Sequence, residues 1–195
     1  MPQHNADSTA EKIVKYSTSN LYRRVLGVIN AIIKPKLLTP ELFGLWSLIA
    51  LISSYATHSD FGARVAMRYR IPFHQGRQEQ NEIAQIESTT LFGSLLLRIL
   101  LIVGLLLTAA VVNMRLEVKV GLATLALIVL IQWYHGFYIS VLKSYQKFSL
   151  ISHANYIKAS ITAFVGLPFL YLFNIYGAYL TALLPFIGPL VSLKH

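Results

Sequence analysis

The chain has no cysteine, and it carries eight acidic residues against 17 lysines and arginines in 195 residues, a formal net charge of +9. Lack of cysteine removes disulfides, thiolate metal sites and cysteine nucleophiles. The acids are as informative by position as by number: Asp7, Glu11, Glu41, Asp60, Glu79, Glu82, Glu87 and Glu117 all fall in loops or at the ends of apolar segments. No GxxxxGKS/T, GxSxG, HExxH or DxD-like pair occurs. Nucleotide hydrolysis, serine hydrolysis, zinc proteolysis and metal-dependent glycosyl transfer therefore lack their residues. DFG at 60–62 is the magnesium-binding triplet of protein kinases, but the Gly-rich loop, the VAIK lysine and HRD are missing before it. His135, in WYHGFY, has no carboxylate nearby, the pattern of a packed histidine more than of a base or ligand. No enzyme activity is predicted, and no cofactor or metal is called for.

What the chain has in abundance is apolar residues, 55% hydrophobic against 13% charged, with a mean hydropathy of +0.55. That is the balance of a membrane protein. A bilayer core takes about 20 mostly apolar residues per helix, and six such segments can be placed, at 18–37, 42–61, 89–112, 119–142, 149–173 and 175–193. LLLRILLIVGLLLTAAVV (95–112) is continuously apolar, whereas a membrane barrel alternates in polarity over segments of about ten residues. The expected fold class is all-α, a polytopic membrane protein of about six transmembrane helices. Residues 1–195 form a single transmembrane domain, with a polar cytoplasmic N-terminus over 1–16 and a cytoplasmic loop over 64–87. MPQHNADSTAEKIVK lacks the apolar stretch and small-residue site of a cleaved signal, so the first span is expected to be a mature helix.

With the N-terminus inside, nine cations are cytoplasmic: Lys12, Lys15, Arg64, Arg68, Arg70, Arg77, Lys143, Lys147 and Lys194. Four, Lys34, Lys36, Arg115 and Lys119, are outside, and the excess inside fixes that orientation. Arg64, Arg68 and Arg70 thus serve first to hold the second helix in place. RQEQNEIAQIE (77–87) reads as a short surface helix in a connector. The positive charge sits at or within apolar segments and not on a soluble basic face, so no nucleic-acid partner is expected.

At about 100° per residue, Asn20, Arg23, Arg24, Gly27, Asn30, Ala31 and Lys34 share one face of the first span. An interfacial helix would show the same stripe, but the pattern recurs. Gly44, Ser47, Ser54 and His58 share a face of the second span, Ser94, Arg98, Gly104 and Thr108 of the third. Thr124, Gln132 and His135 do so in the fourth, and Ser152, Asn155, Lys158 and Thr162 in the fifth. One solution serves all of them, a shared hydrated cavity; for the serines and glycines, helix packing is the simpler role. Arg98 and Lys158 lie roughly 15 Å into their spans, where a charge costs about 2.5–3.5 kcal/mol on insertion scales. With no carboxylate at that depth, an anionic ligand such as a phosphate or diphosphate is expected to neutralise them. The candidate binding residues are Arg23, Arg24, Arg98, Lys158, Asn30, Gln132 and His135.

The stretch LLTPELFGLWSLIALISSYATHSDFGARVAMRYR (37–70) resembles the first hairpin of the polysaccharide (O-antigen-type) flippases of the multidrug/oligosaccharidyl-lipid/polysaccharide exporter superfamily. The resemblance rests on the turn made by Leu38, Pro40, Glu41, Phe43, Gly44, Trp46 and Ser47, then on Asp60, Phe61, Gly62, Arg64 and Arg68. VLKSYQKFSLIS (141–152) looks like the family's link between its fourth and fifth spans. The resemblance implies flipping of an undecaprenyl-diphosphate-linked glycan across the bacterial inner membrane, through a cationic cavity between two six-helix lobes. It also implies that this chain is the N-terminal lobe alone, with a second lobe or polysaccharide assembly proteins as partners beside the membrane lipids. At the mouth of such a cavity, Gly62 would serve a helix C-terminal turn and Asp60 would pair with Arg64. Three alternatives stay open: a cation-coupled drug exporter, a lipid-phosphate enzyme using His58, Asp60, His74 or His153, and a non-catalytic scaffold or assembly subunit.

Overall fold

The computed structural model describes residues 3–58 and 60–192; Lys194, counted among the inward cations, lies outside them. Among the described residues every regular element is helical. The order is α1 (Gln3–Leu37), α2 (Pro40–His58), α3 (Ala63–Gly76), α4 (Gln80–Val111), α5 (Leu116–Ser144), α6 (Phe148–Ser160), a π-helical turn (Ile161–Val165) and α7 (Gly166–Ser192). Three helical runs, Gln80–Val111, Leu116–Ser144 and Phe148–Phe186, are long and apolar enough to cross a membrane, and they mark the chain as a membrane protein. The first two expected spans fall in α1 and α2, which are not among these three. In α1 the apolar half is interrupted by Arg23, Arg24, Lys34 and Lys36, and α2 ends in Ser53, Ser54, Thr57 and His58.

The last of the three runs does not continue straight. At Asn174 the backbone leaves the helix, at φ 51° and ψ −128°, and the chain turns back on itself. Gly166 then faces Thr181, whose Cβ lies 3.3 Å from where a glycine side chain would begin. Gly177 lies against the Phe169 carbonyl, where a Cβ would collide with backbone. The boundary expected between 173 and 175 is therefore present as a helical hairpin.

Tight turns make the other reversals. Pro40 opens α2 with its φ already set for a first helical turn. Phe61 and Gly62 both adopt positive φ, 45° and 81°, between α2 and α3. Gly62 precedes α3 and does not close α2 as expected; having no Cβ, it takes this conformation without strain. The connector over 64–87 is helix–turn–helix and not an open loop: α3 covers its first part, and NEIAQIE is the beginning of α4 instead of a separate surface helix. Likewise the polar residues 3–16 are the first turns of α1.

Packing joins α1 to α6, α4 to α5, and α3 to the adjoining ends of α4 and α5. One buried cluster, including Ile49, Leu125, Val129, Leu170 and Tyr179, ties α2, α5 and α7 together. A second, Met67, Ile71 and Ile83 with Phe137, Val141 and Tyr145 around it, seats α3. The polarity is the reverse of a water-soluble bundle. Ser19, Asn30, Thr90, Ser94 and Arg98 are buried, while Leu21, Val25, Val28 and Ile32 of α1 and Phe92, Leu96, Leu100 and Leu107 of α4 are exposed. An outer apolar surface of that extent is unusual in soluble monomers and suits hydrocarbon.

Candidate functional site

The inward stripe of α1 lines a hollow of about 630 Å³, with Arg23, Gly27, Asn30, Ala31 and Lys34 on one wall and Phe43, Trp46 and Ser47 of α2 on the other. Lys158 and Thr162 close it from the α6 side. Two smaller hollows adjoin it, about 350 Å³ and 310 Å³ in volume, and Lys158 lines all three. The second adds Ser53, Ser54 and Gln132. The third adds Asn20, Arg64, His135, Lys143 and Asn155. Together they form a furrow between α1, α2, α5, α6 and α7.

Among the described residues five cations line this furrow, Arg23, Lys34, Arg64, Lys143 and Lys158, and no Asp or Glu does. Among the described residues the salt-bridged carboxylates are engaged elsewhere. Glu11 pairs with Lys15, Glu41 with Arg115 and Glu79 with His74, and Asp60 pairs with Arg64 at the furrow's edge. The Asp60–Arg64 pair is the one expected from their spacing, and Arg64 also donates to the Thr57 carbonyl at 2.6 Å. Its guanidinium passes over Gly136, where any side chain would strike it.

The other cations rest on aromatic rings or amides. Lys34 Nζ lies 4.5 Å from the Trp46 ring centre, Lys143 Nζ 5.8 Å from Tyr16 and Lys158 Nζ 3.7 Å from Phe186. Arg23 reaches Asn20 Oδ1 at 3.5 Å. A cation–π contact is worth about 0.5–2 kcal/mol, which leaves the charge available to an incoming anion. Ser53 donates to Gln132 Oε1 at 3.2 Å, and Asn30 donates to the Leu26 carbonyl at 2.8 Å. Asn30 Oδ1 and His135 Nε2 are buried without partners, so the furrow keeps unspent polar groups.

Of the seven candidate residues, the furrow gathers Arg23, Asn30, Gln132, His135 and Lys158. Arg24 is exposed and lines none of the three hollows. Arg98 lines none of them either: it is 1% exposed inside the packing of α4, with Nε, Nη1 and Nη2 all lacking partners. Ser94 of the same α4 stripe is spent on helix packing, since Trp133 Nε1 donates to its Oγ at 2.9 Å, while Gly104 and Thr108 of that stripe are exposed. Sequence reasoning missed Lys34, Arg64 and Lys143, which it had assigned to orientation. For Lys34 the signal was present, since it ends the α1 stripe. For Arg64 and Lys143 no spacing within one helix reveals that α3 and α5 bring them to the same opening. Comparisons with protein-family models, curated proteins and solved structures return no match to this chain.

Proposed function

We propose that the chain is a transport lobe that carries a lipid-diphosphate-linked oligosaccharide across the bacterial inner membrane, a polysaccharide flippase of the O-antigen type. The observation that carries this reading is the furrow lined, among the described residues, by five cations and no carboxylate. Partly buried cations with no carboxylate partner among the described residues, here Lys34, Lys143 and Lys158, are stabilised by a ligand of opposite charge, and a diphosphate takes both an arginine fork and lysine point charges. Lys158, Arg23 and Lys34 would hold the phosphates. Asn30, Gln132 and His135 would meet sugar or phosphate oxygens, and Phe43, Trp46 and Leu51 would take the start of the lipid chain. The same lining disfavours a cation-coupled drug exporter, which needs intramembrane acids.

Under this reading about six helices cross the membrane with the N-terminus in the cytoplasm, and alternating access requires a second bundle rocking against this one. The test is complementation of a bacterium that lacks its own O-antigen-type flippase, with this chain alone and joined to a flippase C-terminal lobe, scoring surface glycan. Rescue by the joined form, abolished by Lys158→Ala, is the expected result. Wild-type and Lys158→Ala forms that rescue equally would remove the furrow from the mechanism. A folded protein that rescues in neither form, with matched glycan, would point to the scaffold reading.

A further inference from the structure

One surface of α3 has no partner among the described residues. Met67 and Ile71 are buried against Ile83 of α4 and against Phe137, Val141 and Tyr145 on the α5 side. Ile83 lies in the first turn of α4, and Tyr145 follows the last residue of α5. Both helices are long and apolar enough to cross a membrane, so α3 lies at the level where a spanning pair emerges from hydrocarbon.

The opposite side of α3 carries a second apolar ridge. Val65, Tyr69 and Phe73 recur at every fourth position, one face of a helix, and they are 44%, 77% and 55% exposed. Phe61, just before the helix, is 86% exposed. Arg70 and Arg77 are exposed beside this ridge and Arg68 is partly so, with Arg77 lying 4.4 Å from the Phe73 ring centre. No acid occurs between Ala63 and Gly76. Aromatic residues settle at the membrane–water boundary, and arginines beside them are drawn to anionic headgroups. A water-facing helix gains nothing from an exposed Phe–Tyr ridge.

We propose that α3 lies in the headgroup layer and binds anionic phospholipid, with Tyr69, Phe73 and Phe61 seated among the upper acyl carbons and Arg68, Arg70 and Arg77 on the phosphates. This surface is separate from the furrow and does not depend on what the furrow carries.

The test uses the whole chain, reconstituted in vesicles of equal phosphatidylglycerol and phosphatidylcholine and extracted in mild detergent, with retained lipid counted by mass spectrometry. The wild-type chain should retain phosphatidylglycerol over phosphatidylcholine by about tenfold or more. Arg68→Gln/Arg70→Gln/Arg77→Gln should lower the ratio several-fold, and Lys12→Gln/Lys15→Gln, exposed on α1 outside the furrow, should leave it unchanged. Because the chain has no cysteine, Ala66→Cys offers a single site for a nitroxide, whose depth is read in the same bilayer. A headgroup-level depth is expected. Enrichment that survives the arginine changes, or that falls equally with the α1 lysine changes, would overturn the proposal. So would a nitroxide as open to water-soluble relaxation agents as one in bulk water, a result that would instead fit a protein partner. Should the arginine variant misfold, the nitroxide depth decides alone.

Discussion

The ammonium of Lys158 sits 3.7 Å from the centre of the Phe186 ring, and His135 meets the same ring edge-on at 5.3 Å. A lysine that rests on a ring is held in position without being neutralised. Lys158→Met keeps the length and the apolar contact and removes the charge, so the fold should persist with an unchanged or slightly higher melting temperature. Binding of undecaprenyl diphosphate, measured on the purified chain, should weaken about tenfold or more, the loss expected for a hydrogen bond to a charged group. Undiminished binding would take Lys158 out of the site.

Arg98 presents the opposite case. Its guanidinium is buried, its three nitrogens lack acceptors, and it does not line the furrow. Burying a guanidinium whose nitrogens have no acceptor costs free energy that an apolar side chain of similar shape does not, and the attraction of Asp60 offsets only part of it. Arg98→Met should therefore stabilise the chain by about 1–3 kcal/mol in a reversible unfolding assay and leave ligand affinity unchanged. A loss of affinity in this variant would return Arg98 to the set of binding residues.

The hairpin at Asn174 rests on two backbone requirements. Asn174 has a positive φ in a region that glycine adopts freely, so Asn174→Gly should raise stability by about 1 kcal/mol. Gly177→Ala places a methyl group against the Phe169 backbone carbonyl, which no side-chain rotation relieves. It should cost about 3 kcal/mol. Melting temperatures of the two variants moving in the same direction would contradict the geometry.

Tyr145, just beyond the end of α5, donates to Glu87 Oε1 at 3.2 Å. Burial, then the Glu87 charge and hydrogen bond, push its hydroxyl above the usual tyrosine range. A raised value means the folded state resists ionisation. The stabilisation is complete below the unfolded value of about 10 and is lost as pH rises through the folded one. Thermal unfolding between about pH 9 and 11 should show an alkaline loss of stability that Tyr145→Phe diminishes. An identical alkaline slope in both proteins would refute the coupling.

The sequence made the stripe of α1 legible because helical periodicity fixes which residues share a face, and Arg23, Asn30 and Lys34 do share the furrow wall. It also located the break between 173 and 175, the Asp60–Arg64 pair, and the apolar character that places the chain in a membrane. Periodicity does not fix what a face meets. The α4 stripe of Ser94 and Arg98 has the same spacing as the α1 stripe, yet it packs against Trp133 while the α1 stripe opens onto the furrow. Charge counting had the same limit, since Arg64 and Lys143 satisfy an orientation rule wherever they point along the membrane surface.

Local chemistry settled the helices, their apolar faces and their turns, because those depend on neighbours within a few residues. Which faces enclose a hollow, which cations lack an acid, and that Gly136 leaves room for Arg64 were decided only when α1, α2, α3, α5, α6 and α7 came together. A cavity is a property of the space between helices, and no single helix encodes it.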